Sequence, residues 1–547
     1  GVGIIAQSGG MALTYLNLFD SEQLGFSKFA AIGNKLNVDE NDVLEYYVED
    51  PETSVICMYL ESIEDGRRMT EIARRSAKPI VVHKANVSSL SSSVAQSHTQ
   101  ALANDDRVVD AALSQAGMVR FRDISSYVDF VKILQLPRMK GRNLAIVSRS
   151  GGHAVIGADA AHAHGFRLPP FQESFLAEIR KHLRADVIRL ANPLDLGDLF
   201  DFEVYVTIIE HTLKQETVDG ILFLHTYFAA VEGAPSRKLL QTAASLSTKY
   251  GKPCAMCVMS EQSELSRLHE EFDFPIFLCP ERTVQALDRS IKYQQRREFI
   301  ASGHRLATPN PPADDDSLST LIGNLGREGR SPLLHEALDI MKLAGLALPG
   351  YRVIDEPEFA EEAFKDLAGP YAVKVIAAGV SHKSDQGGVV LHVADKEAAR
   401  GVVREMVDRF GGAGDAGFHG CLVQKMVSRR PGTYELIVGG KRDPQFGPMV
   451  LVGAGGIFVE IFGQASLRMA PLSLEEIEEM IDELPGAEIL KGFRGIPPVN
   501  RESLKDAIVR IAHLMVNYPT IDQIDVNPIL VSSAGTTVVD ARVFLKA

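Results

Sequence analysis

A repeat constrains the fold of this chain more than any other feature. Residues 1–25 read GVGIIAQSGGMALTYLNLFDSEQLG, and residues 142–165 read RNLAIVSRSGGHAVIGADAAHAHG. Each copy is a β-rich apolar run, then S-G-G, then a helical run closed by glycine. Between and after the copies, VICMYL, PIVVH, GILFLH and PCAMCVM alternate with helical stretches such as RRMTEIARRS, LAEIRKHL and SRKLLQTAASLSTKYG. Short fully apolar strands alternating with helices predict doubly wound α/β domains with parallel sheets. The repeat places two of them, over 1–136 and 137–300. Residues 301–331 are rich in Pro, Gly, Asp and Ser and predict a linker. Over 332–547 the pattern changes to strand pairs joined by turns, YAVKVIAAG, GGVVLHV, CLVQKMV and TYELIVGGKRDPQFGPMVLVG, which predicts an α+β domain with antiparallel strands.

A length of 547 residues requires several cores. A formal net charge of -14 argues against nonspecific binding to nucleic acid or anionic membranes. No apolar run approaches about 18 residues, so no membrane-spanning helix is expected. The chain starts without Met inside a strand-like run, which suggests a preceding portion that was removed or is a separate chain. Five cysteines with no second C-x-x-C pair read as buried thiols, and so as a protein of the reducing cytoplasm.

Several residues could carry chemistry. The turns Ser8-Gly9-Gly10 and Ser150-Gly151-Gly152 each open a helix, where free N–H groups and the positive dipole end suit phosphate. Glu61 follows the strand VICMYL and so sits where open sheets bind ligands. A carboxylate there could hold one nitrogen of an imidazole and leave the other as a nucleophile. His98 lies in the serine-rich stretch NVSSLSSSVAQSHTQALANDD, where an exposed loop histidine is the plain alternative. Farther on, Lys374 lies in a strand, and SHKSDQGGVV carries His382. Glu435 precedes a second glycine-rich turn with Gly455 and Gly456, and Asn527 and Asp540 lie on two strands able to pair. An amide oxygen and a carboxylate are hard ligands suited to Mg²⁺ held with nucleotide phosphates.

Seven stretches in order resemble the acyl-CoA synthetases that form a nucleoside diphosphate, relatives of succinyl-CoA synthetase. They are QSGG at 7–10, GNKLNVDENDVLEY at 33–46, SHT at 97–99, NPLDLG at 192–197, HKSDQGGV at 382–389, RDPQFGPMVLVGAGGIFVE at 442–460 and DVNPILV at 525–531. The resemblance implies two flavodoxin-like, succinyl-CoA-ligase-type domains followed by an ATP-grasp domain. It implies conversion of a carboxylic acid, CoA and ATP to acyl-CoA, ADP and phosphate in the cytoplasm. His98 matches the histidine phosphorylated on a swinging loop, and Glu61 the glutamate that orients it. The turns at Ser8 and Ser150 match the helices that stabilise phosphohistidine, and His382 matches a second phosphate-relaying histidine. Lys374 matches a phosphate-contacting lysine, Glu435, Gly455 and Gly456 fall in the nucleotide region, and Asn527 and Asp540 match the Mg²⁺ ligands. The family's usual CoA-binding module in front is absent from this chain, so it is expected in cis or in trans, and a homodimer is expected. The chain departs from the pattern at Gln100 and Asn104, where the loop usually carries glycine, and at Lys425, where many relatives have Glu. The acid could be acetate, a longer aliphatic acid, an aryl acid such as ferulate, or dimethylsulfoniopropionate. A regulatory relative without activity, or an ATP-grasp carboxylate–amine ligase, are the alternatives.

Overall fold

The structure, a computed structural model, describes residues 1–88, 90–91, 105–182, 190–197, 199–311, 313–354, 367–377, 387–411, 417–429, 431–455 and 465–546. They form two compact units, Gly1–Gly303 and His304–Ala547.

In the first unit, β1 (Val2–Ala6), β2 (Phe26–Ala31), β3 (Val55–Leu60), β4 (Ile80–Lys84) and β5 (Val119–Phe121) form a parallel sheet in the order β2-β1-β3-β4-β5. The apolar runs of β1 and β3 are buried because helices cover both faces of such a sheet. Ala6 pairs with Tyr59 and Leu60 with Lys84, so β1, β3 and β4 end in step. The second repeat copy builds the same layout from β6 (Leu144–Ser148), β7 (Leu194–Asp195), β8 (Gly220–Thr226), β9 (Cys254–Met259) and β10 (Ile276–Phe277), in the order β10-β9-β8-β6-β7. Cys254 and Cys257 are buried in β9 as free thiols, and burial pushes both up to about 12.

The two sheets share one core across residue 136. Helix Pro280–Ala301, from the second half, lies against the first. Arg282 Nε donates to Asp129 Oδ2 at 2.7 Å, Arg296 Nη2 to Gln115 O at 3.1 Å, and Arg297 Nη1 to Ala73 O at 3.0 Å.

The second unit holds an antiparallel sheet of β11 (Tyr351–Ile354), β12 (Tyr371–Ala377), β13 (Val389–Val393) and β14 (Phe418–Lys425), in the order β11-β14-β12-β13. A larger antiparallel sheet contains β15 (Tyr434–Asp443), β16 (Gly447–Ala454), β17 (Ala465–Met469), β18 (Ile521–Ser532), β19 (Gly535–Val538) and β20 (Arg542–Leu545). The expected linker over 301–331 is corrected here. Helix Asp315–Glu328, capped by Asp314, occupies it and buries Leu318, Ile322 and Leu325 in the core of this unit. Those three sit at i, i+4 and i+7, one helical face, inside a polar composition that masks the period.

Arg510 ties this region to the core. Its side chain is 2% exposed, donates to Ala344 O at 2.6 Å and Pro311 O at 3.1 Å, and pairs with Asp506 at 2.7 Å. Gly345 takes φ +87°, and a Cβ there would fall 2.2 Å from Arg510 Nη1. Arg510→Met, which strands two carbonyls, is expected to destabilise the second unit by about 2–4 kcal/mol. Gly345→Ala should do likewise, with the double variant losing less than the sum, read from denaturant unfolding followed by circular dichroism.

Candidate functional site

The carboxyl ends of β1, β3 and β4 form one edge, and the residues just past them face one another. At the first S-G-G turn, Ser8 Oγ accepts from Met11 N at 3.5 Å and caps helix Gly9–Ser21. That helix has no acidic residue in its first turn, and among the described residues a Cβ on Gly9 would meet nothing within 4 Å. Room and exposed N–H groups are what an anion needs there. The second turn differs. Ser150 makes no side-chain cap bond to helix Gly151–Ala163, and a Cβ on Gly151 would fall 2.6 Å from Asp195 Oδ2. Among the described residues a Cβ on Gly152 would meet only Ser150 Oγ, at 3.9 Å. A carboxylate of the chain therefore lies beside this second helix start.

Glu61 stands one strand over from Ser8. Gln7 Oε1 accepts from Glu61 N at 2.7 Å and from Ser62 N at 3.0 Å. Tyr59 hydroxyl donates to Glu61 Oε1 at 3.3 Å, and burial, reinforced by Glu61, pushes that phenol up to about 12. Behind the turn, Lys35 forms a buried ion pair with Glu40 at 2.9 Å and donates to Ser62 O at 2.8 Å. Gln7, Tyr59, Lys35 and Glu40 escaped the sequence reading; the signal was Gln7 directly before S-G-G and Lys35 and Glu40 within GNKLNVDENDVLEY. His98, Gln100 and Asn104 lie outside the described residues, as do His382 and Gly456.

In the second unit, the register brings Asn527 and Asp540 together. Ile529 pairs with Val538 and Asp525 with Arg542, so position 527 lies opposite 540 between two ladders. Lys374, from β12, reaches this point: its Nζ donates to Val539 O at 2.6 Å and lies 3.8 Å from Asp540 Oδ2. Burial pulls the Lys374 ammonium below its usual range while Asp540 opposes the shift. Asp525 beside them is raised by burial and by Asp540, against Arg542.

A carboxylate and an amide oxygen, with a lysine for phosphate oxygens, fit Mg²⁺ shared with a nucleotide. Among the described residues no group of three His, Cys, Asp or Glu gathers as a metal cage. Glu435 lies opposite Leu530 on the neighbouring strand, three residues from Asn527 in sequence. It pairs with Arg429 at 2.5 Å and, with Gly455, lines a largely apolar cavity of about 500 Å³. Gly455 N donates to Glu435 O at 2.8 Å, and a Cβ on Gly455 would meet that backbone at 2.8 Å, so only glycine fits. Lys425 ends β14 with its side chain exposed. Asp540→Asn is expected to weaken Mg²⁺–ADP binding by roughly tenfold, about 1.4 kcal/mol, in isothermal titration calorimetry, with the unfolding midpoint little changed.

Among the described residues no helix is long and apolar enough to cross a membrane. Residues 1–134 match the family described as succinyl-CoA ligase like flavodoxin domain, and residues 325–545 match the ATP-grasp domain. An ADP-forming acetate–CoA ligase I of Archaeoglobus fulgidus is 32% identical over 551 residues, spanning 100% of this chain and 78% of that protein. A beta subunit of an ADP-forming acetate–CoA ligase I from Pyrococcus furiosus is 39% identical over 226 residues, 41% of this chain and 96% of the subunit. Relatives thus occur both as one chain and as separate subunits. A solved structure from Ca. Korarchaeum cryptofilum, described as a dinucleotide forming acetyl-coenzyme A synthetase 1 in complex with phosphate and ADP, superimposes with a TM-score of 0.50 at 26% identity, covering 56% of this chain and 67% of that one. A parallel-sheet unit with a bare helix start beside Glu61, an antiparallel unit with a hard-oxygen pair, and a relative aligned along the whole length agree: the chain belongs to the family of ADP-forming acid–CoA ligases.

Proposed function

We propose that this ligase couples its two units through a phosphohistidine at His98. The observation that carries the reading is the edge where the first-turn N–H groups of helix Gly9–Ser21, with no acidic residue among them, and the carboxylate of Glu61 follow neighbouring strands. A helix start favours the phosphoryl dianion, and a carboxylate favours the imidazole N–H on the opposite side of the ring.

His98 attacks the γ-phosphorus of ATP; an N–P bond forms, and the P–O bond to ADP breaks. A carboxylate oxygen of the acid then attacks phosphorus, giving an acyl phosphate and returning the electron pair to the imidazole. The CoA thiolate attacks the acyl carbon, a C–S bond forms, and phosphate leaves with the C–O electrons. Splitting the transfer in this way lets two separate sites use one phosphoryl group.

At the nucleotide end, Asn527 and Asp540 would hold Mg²⁺, which would supply charge neutralisation on the phosphates, and Lys374 and Glu435 would orient the nucleotide. Gly455 lines the same region, Gly456 is read with it as nucleotide-binding, and His382 assists the transfer of the γ-phosphoryl group to His98. The turns at Ser8–Gly10 and Ser150–Gly152 receive the phosphohistidine, with Asp195 reducing the pull of the second. CoA recognition completes the site with residues supplied in cis or in trans. The assembly is a homodimer in the cytoplasm, its oligomeric state readable by sedimentation.

The test uses ATP labelled at the γ-phosphate. The chain should take up label that is lost in acid and kept in base. His98→Ala should abolish both the label and turnover; full labelling and turnover in that variant would sink the mechanism. A panel of aliphatic, hydroxylated and aryl acids, scored by CoA-dependent ADP release, identifies the substrate.

A further inference from the structure

Lys84 is the last residue of β4 and is only 3% exposed. Its ammonium donates to two backbone carbonyls, Glu61 O at 2.9 Å and Ala85 O at 2.6 Å. Its charge neighbours act over longer range: Arg120 and Lys35 push it down, and Asp106 and Glu61 pull it up. Burial outweighs them and lowers it to about 8. A cation taken out of water costs several kcal/mol unless its bonds are good. Tying two strand ends together needs no charge at all, since a ladder bond already does so: Ala85 N donates to Leu60 O at 2.9 Å. The lysine therefore does something beyond closing the sheet. What it grips is the peptide unit of Glu61.

The same residue is held at two other points. Its N–H is bonded by Gln7 from β1's end, and its carboxylate receives the Tyr59 hydroxyl. Gln7 is itself fixed by its backbone N–H, which donates to Tyr59 O at 2.9 Å, and by its amide, which donates to Ser62 Oγ at 3.3 Å. Both sides of the backbone at Glu61 are thus pinned by buried side chains from its two neighbouring strands. Asn86, in the left-handed region at φ +58°, turns the chain away directly after Ala85, so β4 ends at the grip.

We propose that Lys84, Gln7 and Tyr59 are positioning residues that fix the Glu61 carboxylate at one place on the sheet edge for phosphoryl transfer. This rests on the reading of Glu61 as the partner of His98. A reacting group displaced by about 1 Å can lose roughly a hundredfold in rate, so a grip on the peptide of Glu61 acts on the rate without touching the reacting atoms.

The test separates loading from discharge in the enzyme completed by its CoA-binding module, in cis or in trans. Enzyme is phosphorylated with γ-labelled ATP and Mg²⁺, then mixed with CoA and the acid giving the fastest ADP release in the panel above. Loss of label is followed in single turnover for wild type, Glu61→Gln, Lys84→Met, Tyr59→Phe and the double variants of each with Glu61→Gln. Loading amplitude reports that the variant is folded and its nucleotide site intact. Lys84→Met is expected to load normally and to discharge at least tenfold more slowly, and Tyr59→Phe to slow discharge by a smaller factor. Each double variant should discharge no more slowly than Glu61→Gln alone, because a residue acting only through Glu61 has nothing left to position.

Discharge within twofold of wild type in Lys84→Met, with Glu61→Gln impaired, would overturn the proposal and leave the reading of Glu61 standing. Losses that multiply in the doubles would show a separate, structural role and overturn it too. Wild-type discharge in Glu61→Gln would overturn the reading of Glu61, and this proposal with it. Should Lys84→Met fail to load or fold, Tyr59→Phe and its double decide by the same criterion, since that change removes one hydroxyl and no carbon.

Discussion

The side-chain oxygen of Gln7 accepts from two consecutive backbone N–H groups, those of Glu61 and Ser62. Much of the first unit depends on this bifurcated contact. A parallel sheet ends in peptide groups that have lost their ladder partners, and buried N–H groups cannot be left unpaired. By spending its amide on the strand beside it, Gln7 satisfies those groups and makes the chain turn at the same level as its own helix start. The S-G-G turn and the carboxylate then share an edge because one side chain has joined their strands. Lys35 and Glu40 brace the far side of the same turn through Ser62. The family-typical stretch at 33–46 thus includes both a pair that buttresses Glu61 and a helix that packs on the sheet.

The second unit reaches its site differently. Antiparallel pairing sets residues directly opposite one another, so an amide on one strand and a carboxylate on the next meet by register alone. The switch of β18 from pairing with β19 to pairing with β20 falls at Asn527, where the two ladders meet opposite Asp540. Lys374 comes from another sheet and is held by a carbonyl adjacent to Asp540. Its burial without full neutralisation suits a group that awaits a phosphate.

Much of this was legible in the sequence, and the rest was hidden for physical reasons. The strands of the first unit are continuous apolar runs, and their alternation with helices fixes the parallel class. The repeat located both helix starts, and spacing alone raised the pairing of Asn527 with Asp540. The helix at Asp315–Glu328 was not legible as such, because acidic and glycine residues on its outer face outweigh three leucine-like positions. The shared core across residue 136 was equally hidden: nothing local in helix Pro280–Ala301 says that its arginines serve carbonyls beside the other sheet. Gln7 and Lys84 look like ordinary polar residues flanking strands. Their meaning lies in which strand stands next to which, and order within a sheet leaves no local mark on a sequence.

The unequal helix starts of the repeat carry a further consequence. Both copies keep the turn, the two glycines and the helix, so their shapes agree. Among the described residues one start has no carboxylate against its first glycine, and the other has Asp195 there. The positive end of a helix dipole is therefore exposed in one copy and already answered in the other. The two halves of the repeat have diverged in electric potential while remaining alike in backbone, and a single carboxylate is enough to make one motif into two different electrostatic environments.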